Sequence, residues 1–366
     1  MSVGVGCFGV SPAVTASNSR SSDGDRPVFV VTGGAGFVGS NLAAELQRRH
    51  ADAQVVVIDD LRSGSYANVV EAYSRLGVGP FRGQFVNACI TEIDWDSVIE
   101  QLNPRAVFHL GAITDTTVSD EREMLRVNSD SFAPMLSACV DSETPLVYAS
   151  SAATYGTPPQ TAQRVAFPQS AAGEPNNVYG FSKWMMEVQH GQATASREAA
   201  VGAAPHVVGL RYFNVFGPGE GRKGKMASMV YQLTQQVLDG KAPRLFTDGS
   251  QARDQVYVGD VVDCTIAASA PTAKPGVYNL GSGVATSFNQ IAHAVLSGVS
   301  KARGGGWKVA AVEYFEMPAH IRKFYQDFTQ ADMSETRGGL GWIPKWNSHA
   351  AVGEAMAGYA EWMSRA

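Results

Sequence analysis

The sequence predicts an α/β fold: a doubly wound parallel sheet with a smaller C-terminal α/β substrate-binding lobe. Apolar, β-branched runs recur in "RPVFVVTGG", "DAQVVVIDD", "PRAVFHLGA", "TPLVYASSAATYG" and "APHVVGLRYFNVFG", each the length of a strand buried on both faces. Stretches of helical period, such as "EMLRVNSDSFAPMLSACV" and "VYGFSKWMMEVQH", separate them, which is the alternation of βαβ units. After Tyr212 the texture changes to glycine- and charge-rich loops among shorter elements. Residues 27–210 therefore read as the sheet domain, and 211–366 mainly as the second lobe, with segments free to return to the first.

Composition bounds the partners. The chain has 366 residues, of which 45% are hydrophobic, enough for a full core. A net charge of −5 offers no overall attraction for nucleic acid or an anionic membrane, so an anionic ligand must be met locally. No apolar run approaches the ~18 residues of a spanning helix. Cys7, Cys89, Cys139 and Cys264 form no C-x-x-C pair and lie near no histidine cluster, so they read as inert thiols and suggest no metal site. Residues 1–26 are rich in Ser, Gly, Ala and Val, and both a disordered tail and an organelle-targeting segment fit them. The rest reads as a cytoplasmic protein.

Between the first strand and first helix, "VTGGAGFVGSN" supplies Gly33, Gly36 and Gly39. Small residues there let a pyrophosphate approach the N–H groups and dipole of a helix N-terminus. The second strand ends in Asp59, placed to accept hydrogen bonds from an adenosine ribose, and Asp60 follows. Two acids repel a 2′-phosphate while Arg62 offsets them, so NADP and NAD both remain open. This is the signature of a Rossmann-type dinucleotide site.

"NVYGFSK" places Tyr179 and Lys183 four residues apart on one helical face. A neighbouring ammonium favours phenolate, which suits the tyrosine to take a proton from a substrate hydroxyl. "YASSAATYG" ends a strand with Ser150 and Ser151, and a hydroxyl there can share that hydrogen bond. The ordered set of glycine turn, acid, serine, tyrosine and lysine reads as hydride transfer between a nicotinamide and an alcohol or sugar carbon.

"TGGAGFVGSN", "YASSAATYG", "NVYGFSK" and "RYFNVFGP" resemble the extended short-chain dehydrogenase/reductase superfamily, in its nucleotide-sugar epimerase and dehydratase branch. The resemblance runs from about Val28 to the C-terminus. Thr154 is followed by Tyr155 and Gly156, not by the acidic pair of the dehydratases. Downstream, "FNVFGPGEGRKGKMAS", "RDQVYVGDV", "VYNLGSG" and "FYQDFTQADM" resemble the ADP-L-glycero-D-manno-heptose 6-epimerase family. That likeness implies inversion at C6 of the heptose by transient oxidation, with NADP or NAD tightly bound, one per subunit. It implies Tyr179 and Lys223 as two acid/base groups, supported by Lys183 and Ser151; the Lys223 pKa would have to be lowered by burial or by neighbouring cations, for which Arg222 and Lys225 are available.

Further positions carry over from the same resemblance. Phe37 and Val38 match the cofactor turn, and Leu110, Gly111, Ala112, Ile113 and Thr114 the loop beneath it, with Asn128 and Val215 also at the cofactor. Asn214, Lys225, Gln232, Phe246, Arg253 and Tyr325 match substrate contacts, Arg253 offering a fork to phosphate unless Asp254 or Asp260 claims it. Lys225 and Gln232 stand where the family has serine and histidine, Tyr66 where a lysine would hold a 2′-phosphate, and Val127 replaces one of two asparagines. The family also implies a homo-oligomer, with a pentamer as one form. Two rival readings stay open: a UDP- or dTDP-sugar 4-epimerase or reductase, and a non-catalytic dinucleotide-binding module.

Overall fold

The computed structural model describes residues 26–115, 118, 120–157, 164–304, 311–318 and 326–365. Residues 1–25 of the expected tail and Tyr325 lie outside them. Arg26, grouped with the tail by sequence, hydrogen-bonds the carbonyls of Asp52 and Ala53. The strands are β1 (Val28–Thr32), β2 (Gln54–Ile58), β3 (Gln84–Val86), β4 (Ala106–His109), β5 (Leu146–Ser151), β6 (Val207–Tyr212), β7 (Asn214–Phe216), β8 (Arg244–Phe246), β9 (Ala252–Tyr257), β10 (Gly276–Leu280), β11 (Ala285–Ser287) and β12 (Glu313–Phe315). The helices are α1 (Phe37–Arg49), α2 (Tyr66–Leu76), α3 (Trp95–Leu102), α4 (Glu121–Leu125), α5 (Phe132–Asp141), α6 (Val178–Val201), α7 (Met229–Leu238), α8 (Val258–Ala267), α9 (Phe288–Arg303), α10 (Ser334–Leu340) and α11 (His349–Arg365).

Seven strands form one parallel sheet in the order β10-β6-β5-β4-β1-β2-β3. Its strands are buried on both faces, which is why they read as unbroken apolar runs. In β1, Phe29 and Val31 enter one core cluster while Val30 enters the other, following the two-residue period of a strand. The chain builds outward from β1 to β3, then returns to β4 on the other side of β1. That reversal opens a crevice at the carboxyl ends of β1 and β4. Gly39 keeps α1 tight against the turn, since a Cβ there would sit 2.1 Å from the Gly33 carbonyl oxygen.

The smaller lobe has a three-stranded sheet, β11-β9-β7, a two-stranded pair, β12-β8, and its own core from α7, α9 and α11. "GVYNLG", expected in this lobe, instead forms β10 at the edge of the main sheet beside β6. Asp254 on β9 ties the lobe together: its buried carboxylate accepts from the Ser282, Gly283 and Ala331 N–H groups and the Ser282 hydroxyl. Among the described residues, no helix is long and apolar enough to cross a membrane.

Candidate active site

A cleft of ≈ 750 Å³ opens outside the carboxyl ends of the central strands, the size of a cofactor and ligand site. At one end lies the turn before α1. Gly36 is the helix N-cap and no side chain caps it, so the first N–H groups of α1 stay available to an anion. A Cβ at Gly36 would meet only the Gly33 carbonyl oxygen, and the bare backbone leaves that space to a ligand. These residues fit a dinucleotide pyrophosphate.

Asp59 stands beside the turn. Its two oxygens accept from the Ala35 N–H at 2.9 Å and the Leu61 N–H at 2.8 Å, and burial pushes its carboxyl up. A carboxylate has about four acceptor positions, so ribose hydroxyls can still be received. Asp60 takes the Arg62 guanidinium at 2.8 Å, and Glu123 approaches the same group at 3.3 Å. Arg62, read as an offset to the two acids, is thus shared between two carboxylates at the cleft wall.

Leu110 to Thr114 line the cleft after β4. Thr32 accepts the Gly111 N–H at 3.1 Å, and Asn128 grips Ile113 at both its N–H and its carbonyl, at 2.8 and 2.9 Å. Asn128 was expected at the cofactor, but it is fully buried behind the loop on a π-helical turn, Arg126–Asp130, and also donates to Ser182 at 3.0 Å. The wider turn lets one amide span loop and helix; a π-turn in a helix often marks a functional site.

Asn177 caps α6 by accepting the Gly180 N–H, which puts Tyr179 in the first turn and Lys183 one turn deeper. Both line the cleft with Ser151, whose hydroxyl lies beside the Tyr179 phenol. Burial pushes that phenol up, contrary to the expectation that Lys183 would draw it towards neutrality, while the Ser151 hydroxyl pulls it down. Lys183 donates to the Ala149 carbonyl at 2.8 Å, and burial lowers its ammonium to about 7. Ser150, also on the cleft lining, donates its hydroxyl to the buried Glu187.

The Lys183 shift has a thermodynamic sign. Below about pH 7 folded and unfolded chains both carry the charge; from there to the ordinary lysine value near ~10.4 only the unfolded chain binds the proton. Stability of the cofactor-free protein should therefore rise with pH across that window, by at most ~1.4 kcal/mol per unit. Urea unfolding of the parent and Lys183→Met checks this, since the rise should be clearly smaller in the variant, where the lowered pKa of Lys223 still contributes.

The opposite wall is the loop after β7, wound as a 3₁₀ turn over Glu220–Met226. Lys223 lines the cleft, its ammonium 5.7 Å from the centroid of the Phe37 ring. The surrounding protein lowers its pKa and Glu220 partly restores it. Arg222 also lines the cleft but is paired with Glu71 at 2.9 Å, and neither it nor Lys225 is the cause of the shift. Lys225 does not line the cleft, because Gly224, at φ 55 and ψ −125, breaks the winding between the two lysines. Gln232 is also off the wall, donating to the Lys225 and Ala227 carbonyls. Asn214, Val215, Phe246 and Arg253 do line it.

Of the two acids near Arg253 in sequence, Asp254 is held as described and Asp260 accepts the Trp346 N–H at 3.0 Å. The sequence reading missed Met226, Met229, Gln255 and Phe288 on the substrate side, none of which carries a local signal. It also missed Glu187, although the four-residue step from Tyr179 to Lys183 continues to it.

Residues 29–281 match the NAD dependent epimerase/dehydratase family. Among solved structures, ADP-L-glycero-D-manno-heptose-6-epimerase of Helicobacter pylori is 31% identical, covering 93% of this chain and 96% of that one, with a TM-score of 0.75. UDP-glucose 4-epimerase of Thermotoga maritima, with UDP-glucose, is 23% identical over 92% and 99%, at 0.72. UDP-glucuronic acid 4-epimerase of Bacillus cereus, with UDP-glucuronic acid and NAD, is 24% identical over 92% and 99%, at 0.70. Glycine cradle, Tyr179–Lys183 pair and family match agree: the chain belongs to the NAD dependent epimerase/dehydratase family.

Proposed function

We propose that this protein converts ADP-D-glycero-D-manno-heptose to ADP-L-glycero-D-manno-heptose by inverting C6. The observation that carries the proposal is the placement of Tyr179, on α6, and Lys223, on the loop after β7, in one cleft. A carbon without an acidic C–H is inverted by removing and returning hydride, and bound NAD supplies the hydride acceptor and donor. The hydroxyl proton must then be handled in two orientations, one for each face of the carbon. Tyr179, lifted by burial, is suited to hold a proton, while Lys223, lowered by its surroundings, is readier to be neutral. Pairs pushed apart in this way divide the acid and base roles.

NAD is favoured over NADP because Asp59, Asp60 and Glu123 surround the place where a 2′-phosphate would need cations, and the nearby Arg62 is already paired. Arg253 and Phe246 would meet the diphosphate and the sugar. Identity to the Helicobacter pylori enzyme favours the heptose, whereas Lys225 and Gln232, which depart from that family's pattern, keep a UDP-sugar as the second reading. Incubation with ADP-D-glycero-D-manno-heptose, and separately with UDP-glucose, followed by proton NMR at C6 and C4, tests this. Inversion at C6 alone is expected; change in the UDP-sugar alone would overturn the heptose reading, and no change in either would favour a binding module.

A further inference from the structure

The loop that carries Lys223 is closed by one buried side chain. Glu220, fully shielded from solvent, accepts the Gly217 N–H at 3.0 Å through Oε1 and the Ser228 N–H at 2.6 Å through Oε2. The Ser228 hydroxyl adds a bond at 2.9 Å, and the Tyr359 hydroxyl, from the last helix α11, lies against the same carboxylate. The two backbone donors stand at the two ends of the loop, so this carboxylate clips entry to exit. Asn41 on α1 holds the entry as well, donating to the Pro218 carbonyl at 2.9 Å and the Phe37 carbonyl at 2.8 Å. Lys223, three residues after Glu220, is left over the Phe37 ring at the cleft.

A buried carboxylate costs several kcal/mol of desolvation unless donors repay it, and this one faces four. Capping α7 does not require it, because Ser228 already does so by accepting the Tyr231 N–H. We propose that Glu220, seated by Tyr359, is a positioning residue that sets Lys223 for proton transfer. Through Tyr359 the C-terminal helix then belongs to the reacting apparatus although it lines no part of the cleft. The inference rests on the acid/base role given to Lys223 above.

The test separates the two directions of reaction. In a single turnover from the epimer whose hydroxyl faces Lys223, the lysine amine takes the hydroxyl proton as the C–H hydride passes to NAD, leaving a carbonyl and reduced cofactor. From the other epimer Tyr179 takes that proton. Reduced-nicotinamide absorbance is followed from each epimer in Lys223→Met, Glu220→Gln and Tyr359→Phe, with NAD affinity and thermal unfolding measured in parallel. Glu220→Gln places an amide against the N–H donors, and it should slow the Lys223 direction by roughly ten- to a hundred-fold, leaving the other within about twofold. Tyr359→Phe keeps the ring and should slow the same direction by less, and it decides the matter if Glu220→Gln does not fold. Equal slowing in both directions, or none in either, overturns the proposal. If Lys223→Met itself shows no difference between the directions, the acid/base assignment fails instead.

Discussion

Lys223→Met is expected to fold, to bind NAD like the parent, and to lose steady-state epimerisation by roughly 10²–10⁴-fold, the usual weight of a positioned acid or base. Methionine keeps an apolar stem close to the length of lysine's, so the side chain can still cover the Phe37 ring while the proton-carrying ammonium goes. Because Arg222 is engaged with Glu71 and Lys225 lies beyond the Gly224 break, neither cation should substitute. Turnover of both epimers, with NAD titration as the control, checks the result; activity within threefold of the parent would remove Lys223 from the mechanism.

The second large effect is on stability. Arg211 on β6 grips Glu187 of α6 through Nε and Nη2, at 3.0 and 2.7 Å, with both side chains almost wholly buried. Its remaining nitrogen reaches the Tyr155 hydroxyl at 3.0 Å and the Gln169 carbonyl at 2.8 Å, and Tyr155 in turn donates to Asn279 on β10 at 2.6 Å. Arg211→Met strands the Glu187 carboxylate and should cost on the order of 3–5 kcal/mol in chemical denaturation. Adding Glu187→Leu should recover much of that loss, since an apolar pair no longer buries a lone charge. A double variant no more stable than Arg211→Met would mean that the charge pair is not the origin of the loss. Ser150 loses its acceptor in the double variant, so Ser151, next along the strand, should hold Tyr179 less well and kcat should stay low even where stability returns.

The strands and the first turn were legible because their signals are local: unbroken apolar runs, small residues at a strand–helix junction, and Tyr179 and Lys183 one turn apart. What escaped depends on partners far along the chain. Asn128 looks like a ligand contact until the π-turn buries it against Ile113, and Glu187 looks like any helical acid until Arg211 arrives from β6. Within "GRKGK" the two lysines are equivalent as letters; the backbone reversal at Gly224 makes them different. Of the two causes open for a lowered Lys223 pKa, burial and neighbouring cations, the structure favours burial, because the surrounding protein withdraws water from the ammonium.

The return of β10 to the main sheet bears on how the chain can be divided. A fragment ending just after Tyr212 would leave the whole flank of β6 as an open row of N–H and C=O groups, a template for pairing with other chains. It would also lose Asn279, the acceptor of the Tyr155 hydroxyl that Arg211 holds. The cofactor half is therefore not a portable unit, and ribosomal synthesis must run past Leu280 before the sheet can close.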